Sequence, residues 1–400
     1  MNDRTPLMDS GSYRDSEEVE AAALVEQLES SSGAPACVFV ARYDLKRGAT
    51  LDYVHPKHME KQIQGTEQQV FISGLHTVSN DIITFKNNGL YGIAAFHAYH
   101  HATVDRNVVS RSVGLLFKEQ PVGDHPRLEH QLKQLASHYN KRSVSAKTRT
   151  GDAALDYSAL EQSTKPSVLI SPARFSSSSY IAEALGMLDI DTFSALRRGL
   201  MLGLRVLMLG TAPVMKTVCY LKMLSVLGMV RPNSRDVPQP ECIGHITMVG
   251  LNTRAASKAK EGFLACTTGR PCRPELVCDV LLRADALTGI KSSAGLDDTP
   301  ITADPKLLKL LRPTKGDREL LYALQSESGM TDRRAAEIIL TANIRLYHLL
   351  GEGQTRVVRP KELLERGHFL CAKDWVFANS VGCHWYRDDQ DYIKPLCGMC

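Results

Sequence analysis

The sequence predicts an α/β protein with a strand-rich N-terminal lobe, a central α/β lobe built on parallel strands, and a mainly helical C-terminal part. Three observations predict it. Between residues 36 and 117, short and nearly continuous apolar runs are punctuated by turn residues, as in strands covered on both faces. Between about 190 and 282, such runs alternate with segments of helical period. From about Asp304 onward, leucines recur at helical spacing as far as residue 350.

Each element follows in order. Residues 1–34 are rich in Ser, Gly and acid, including Ser30-Ser31-Ser32-Gly33, and bury too little apolar surface to offset the entropy of ordering. They are read as a disordered acidic tail with one amphipathic helix at about Glu17 to Leu28. The first lobe is set at residues 35–145. Ala36 to Tyr43 reads as a buried strand, Lys46-Arg47-Gly48 as its turn, and Ala49 to Val54 as a second strand that Pro56 ends. Asp81 to Phe85 and Leu90 to Phe96 flank Lys86-Asn87-Asn88-Gly89, where Asn-Gly supplies the positive φ angles of a tight hairpin. Ser112 to Phe117 predicts a further strand, and Arg127 to Tyr139, with Leu128, Leu132 and Leu135 at helical spacing, a flanking helix.

Residues 146–180 read as a linker, entered through the basic, Ser-rich stretch Lys141 to Lys147 and containing Ser176-Ser177-Ser178-Ser179. The central lobe, set at 181–290, alternates. A helix at about Ile190 to Leu202 is followed by a strand at Arg205 to Leu209 and a helix from Pro213 to Leu227. Strands are then predicted at Ile243 to Val249, Phe263 to Thr267 and Leu276 to Leu282, and this order argues for a parallel sheet. Residues 291–400 read as mainly helical, with helices about Leu307 to Leu311, Asp317 to Ser326 and Thr331 to Leu350.

Composition narrows the class of function. The charge-free stretch Val206 to Met215 is far short of the ~20 apolar residues that a bilayer span needs. Met1-Asn2-Asp3-Arg4 does not open a basic and then apolar leader, so a cytoplasmic chain is expected, and most of its ten cysteines read as core thiols. The net charge of +4 is uneven: residues 1–34 carry two arginines against eight acids, and the body is correspondingly basic. Its lysines and arginines are scattered among few aromatics, which argues for a solvated surface and against nucleic acid.

Several motifs invite chemistry. Gly210-Thr211-Ala212-Pro213-Val214-Met215-Lys216-Thr217 follows a strand and opens a helix, the setting of a phosphate-binding loop. Met215 stands where that loop needs glycine and Pro213 removes a donor, so a helix opened by proline is the plainer reading. His97, His100 and His101 cluster near Asp105, at a spacing open to zinc or to a polar strand end. Cys397-Gly398-Met399-Cys400 is half a zinc site; with Cys371 and Cys383 upstream it could hold a metal, against a reading as ordinary thiols. No nucleophile elbow, His-Glu-x-x-His or dinucleotide fingerprint stands in the chain.

Three ordered segments resemble the DENN-module proteins, most closely the LCHN-type branch. The first comprises Val38 to Asp44, Arg47 to Pro56, Ser79 to Phe85, Leu90 to Ala94 and Arg111 to Gly114, and it looks like the upstream, longin-type lobe. The second, Leu196-Arg197-Arg198-Gly199 through Leu207 with Ala212-Pro213-Val214, is similar to a helix, strand and proline turn of the central DENN domain. The third, Gly262 to Thr268 followed by Leu276 to Val280, resembles that domain's paired strands; Cys278 stands where Tyr is usual, and the paired prolines are reduced to Ala212-Pro213. The resemblance makes residues 291–400 the downstream DENN region.

What it implies is nucleotide exchange on a Rab-type small GTPase, with no cofactor and with peripheral contact to membranes through the GTPase. A second DENN-type subunit is a possible partner. The implied contact surface is the rim that joins the first lobe's hairpin, Lys86, Asn87 and Asn88, to the central lobe. Two alternatives stay open: a folliculin-like GTPase activator using Arg106 as an arginine finger, although Asn107 replaces the usual Gly there, and a scaffold of the same fold without activity.

Overall fold

The computed structural model describes residues 35–44, 47–71, 78–100, 108–118, 126–150, 180–252 other than 211, 231–240 and 249, 262–283 other than 270 and 272, 301–365 other than 328, 355 and 357, and 370, 374–387 and 392–393. The tail at 1–34, with its expected helix, lies outside these, as does most of the expected linker.

Five strands make the first sheet: β1 (Cys37–Asp44), β2 (Gly48–His55), β3 (Asn80–Asn87), β4 (Leu90–His100) and β5 (Val108–Phe117), antiparallel throughout in the order β2-β1-β5-β4-β3. The β3–β4 turn is the hairpin that the sequence announces, with Asn88 at φ 49° and Gly89 at φ 78°. Helix α2 (Pro126–Thr150) follows, after a short α1 (Thr66–Gln69). Alternate residues of the strands serve different partners. Val38, Val40, Ile93, Val113 and Leu115 meet Leu128, Leu132, Ala136 and Tyr139 of α2, while Phe39, Ala41, Phe85, Phe96 and Leu116 enter a core shared with the rest of the molecule. Cover on both faces is why β1 reads as an unbroken apolar run. Helix α2 passes without a break through residue 145, where the sequence ends the first lobe.

The second sheet is mixed. Its elements are α3 (Tyr180–Met187), α4 (Ile190–Met201), β6 (Arg205–Leu209), α5 (Met215–Leu224), β7 (Glu241–His245), β8 (Phe263–Thr267), α6 (Pro274–Val277), β9 (Val280–Arg283) and β10 (Ile301–Ala303). Strands run in the order β10-β9-β6-β8-β7; the last four are parallel and β10 is antiparallel to β9. Two expected strands change. The one from Ile243 ends at His245, and residues 248 and 250–252 are helical. The one from Leu276 begins as α6, because Pro274 sits in the first turn and Glu275 favours a helix start; the backbone is extended at Cys278, and the paired strand begins only past Asp279, whose carboxylate Arg205 holds at 2.8 Å.

Beyond β10 the elements among the described residues are helices: α7 (Pro305–Leu311), α8 (Lys315–Ser326), α9 (Asp332–Gly353), α10 (Pro360–Glu365) and α11 (Trp375–Tyr386). A charged network ties α4 to this region. Arg197 and Arg198 donate to Asp317, and Arg198 also donates to Asp374 at 2.6 Å. Asp317 doubles as the third residue of the α8 capping box, accepting from the Thr314 amide at 3.0 Å. All four charged side chains are buried, and Arg198 lies 4.4 Å from the centroid of the Phe377 ring. Burial would push the Asp317 carboxyl up, but the two guanidiniums and the Thr314 amide reverse that and hold it below its usual range. No helix among the described residues is long and apolar enough to cross a membrane.

Candidate functional site at the interlobe rim

The first sheet ends at β3 and the second at β7, and these two edges lie against each other. Gly244 makes the approach possible. It adopts φ +85°, and a Cβ there would stand 2.5 Å from the Thr84 carbonyl oxygen, so a side chain is excluded twice over.

Polar contacts cross this seam at three levels. Deepest is Asp81, whose carboxylate accepts from its own neighbour Ile82 (2.8 Å) and, across the seam, from the amides of Val214 (2.7 Å) and Met215 (3.3 Å). Val214, at the start of α5, has no capping side chain of its own. The helix start that resembles a phosphate loop therefore already holds an anion, a carboxylate from the other sheet. Burial pushes the Asp81 carboxyl up, opposed by those three amides and the charge of Lys133. Nearer the surface, Lys86 pairs with Glu241 at the head of β7, which also accepts from the Tyr91 hydroxyl at 2.9 Å. Lys86 lies 4.8 Å from the Tyr91 ring centroid. At the third, Gln69, only 7% exposed, accepts through Oε1 from the Thr247 amide and hydroxyl at 3.4 and 3.3 Å.

Beyond the seam the hairpin tip folds onto the turn before α1. Asn87 donates to the Gln64 carbonyl (3.1 Å) and the Thr66 hydroxyl (3.0 Å), and Asn88 donates to the Gln62 carbonyl (2.8 Å). Between the tip, this turn and the 246–250 segment lies a cleft of about 300 Å³, walled by the carboxamides of Gln64, Gln68, Gln69, Asn87 and Asn88. Primary amides offer donors and acceptors without net charge, so these walls suit polar groups such as peptide backbone, with Lys86 as the charged residue of the lining. The structure thus brings Lys86, Asn87 and Asn88 together at one site, with much of their hydrogen bonding spent on holding the site in shape. Sequence reasoning missed Asp81, Glu241 and the glutamines. The clustered Gln62, Gln64, Gln68 and Gln69, and an acid at the mouth of an apolar strand, were the available signals.

Other candidates are placed elsewhere. Arg106, His101, Cys371, Cys397 and Cys400 lie outside the described residues, as does the side chain of His100. His97 contacts Asn140 at 3.1 Å, and burial, with Lys141 nearby, lowers its pKa. Cys383 is half-buried among the C-terminal helices, and no group of side chains able to hold a metal occurs among the described residues. His245, at the end of β7, is fully buried, and burial pushes its pKa down to about 3.

The seam and its cleft lie inside the stretch of this chain that a family model matches. A DENN domain-containing protein 11 from Xenopus laevis is 30% identical over 82 residues, which is 20% of this chain and 18% of the relative's length. A family model described as DENN domain-containing protein 11 matches residues 38–270, from β1 through β8 and so across both edges of the rim. By that match, extending over more than half of its 400 residues, the chain belongs to the family of DENN domain-containing protein 11.

Proposed function

We propose that this chain is a guanine-nucleotide exchange factor for a Rab-type small GTPase and that the interlobe rim is where it grips. Membership of a DENN family supports the reading. The observation that carries it is the convergence of the hairpin tip, the 62–69 turn, Ile246 and Gly250 on one cleft between two sheets, walled by carboxamides with Lys86 as its charged lining residue. Exchange asks for no nucleophile. The protein must bind the empty GTPase more tightly than the loaded one, drawing its mobile loops away from Mg²⁺ and phosphate. A thousandfold faster release of GDP requires about 4 kcal/mol of such preference, within reach of a few well-placed backbone hydrogen bonds and their packing.

The lobes at 35–145 and 181–290, with the helical part at 291–400, form the grip in this reading. In the same reading a second DENN-type subunit is a further partner, and contact with membranes comes through the GTPase. The test is release of fluorescent GDP from a panel of purified GTPases on addition of the full chain. Faster release from one member, slowed by the paired change Gln64→Ala and Gln68→Ala, is the expected result. No acceleration anywhere overturns it, and binding without a change of rate marks a scaffold. Faster GTP hydrolysis that disappears on Arg106→Ala marks an activator.

A further inference from the structure

We propose that Asp81 is the positioning residue of the rim: its carboxylate, carried by the first sheet and bound to the start of α5, holds the two sheets edge to edge, so that the cleft is assembled before any partner arrives. The inference goes beyond nucleotide exchange, since it concerns the free chain.

Three observations carry it. Asp81 is 3% exposed, and two of the amides it accepts from, Val214 and Met215, belong to a helix with no cap of its own. Helix α5 packs against β3 from the first sheet and against β7 and β8 from the second, so fixing its start fixes both sheets. The other crossings are weaker: Lys86 and Glu241 are 22% and 20% exposed, where an ion pair contributes little, and the Gln69 contacts are long. Losing Asp81 instead strands two amides at a buried helix start. From Asp81 the strand runs straight to Asn87, about 20 Å at the usual rise per residue, and touches Gly244 at Thr84 on the way. A shift at Asp81 is therefore delivered to the hairpin tip.

Hydrogen exchange of the full chain tests this. In Asp81→Ala, exchange rises about tenfold or more at 212–218 and also at 62–69 and 241–248, to which the carboxylate makes no hydrogen bond. Asp81→Asn, which keeps one acceptor, falls between that variant and the parent. A rise confined to 212–218 makes Asp81 a local cap and overturns the proposal, as does no rise at all. A second measurement needs no variant to fold. In the parent chain at low denaturant, 212–218, 62–69 and 241–248 lose protection at one common concentration, and separate concentrations overturn the proposal. Neither result bears on GDP release, so this inference and the exchange reading fail separately.

Discussion

Two polar joints organise this molecule, and they are built on opposite terms. The joint between α4 and the C-terminal helices is a closed set of two arginines and two aspartates, all buried, with charges in balance and an aromatic ring beneath Arg198. The seam between the sheets is graded, from buried Asp81 through Lys86 and Glu241, about one-fifth exposed, to the amide-walled cleft. Desolvated charge makes the first joint costly to break and unsuited to movement. Solvent at the outer end of the second lowers what each contact there contributes and leaves polar groups available to a partner. On the proposed reading of the rim, stability and recognition fall to different joints.

The comparison can be broken most forcefully at the first joint. Asp317→Ala leaves Arg197 buried without its ion-pair partner and Arg198 with Asp374 alone, and a loss of about 3–5 kcal/mol in denaturant unfolding is expected. A loss below about 1 kcal/mol would place Asp317 with ordinary surface charges. At the seam, Gly244→Ala forces a side chain into a left-handed backbone and against Thr84, with an expected loss of about 1–3 kcal/mol and weaker protection of β3 in hydrogen exchange.

His245 sharpens the contrast through pH. Its pKa is pushed from 6.5 to about 3 in the fold, so the unfolded chain takes up a proton first as pH falls. Stability is then full above about pH 6.5 and declines below it, by up to about 1.4 kcal/mol per pH unit down to about pH 3. Unfolding of the parent and of His245→Leu across this window should diverge accordingly; parallel pH curves would refute the assignment. The smallest effect is expected from Glu241→Gln, below about 1 kcal/mol in the same unfolding measurement, because its ion pair with Lys86 is partly solvated.

What could be read from the sequence follows the range of the interactions. The β3–β4 hairpin was legible because Asn88 and Gly89 carry its turn locally. So was the covered first sheet, whose apolar runs record both faces. The helical start of α6 was hidden, since Leu276 to Leu282 has apolar content suited to either period and Pro274 alone decides. Asp81 was hidden for another reason: its partners stand 133 and 134 residues away, and nothing near it marks a missing cap on α5. Lys86 was chosen for its place on the hairpin, while Glu241, which gives it a function in the seam, lies 155 residues downstream.

Strand β10 carries a practical lesson about where this protein can be cut. It shields the outer side of β9, and β9 in turn flanks β6 at the centre of the sheet, yet both lie past residue 270, where the family match stops. A fragment trimmed to the matched span would present β6 as a bare, apolar border open to pairing with other chains, and would leave two guanidiniums without counter-ions in its interior. Such a fragment should precipitate on expression: the span that defines kinship is shorter than the span that folds.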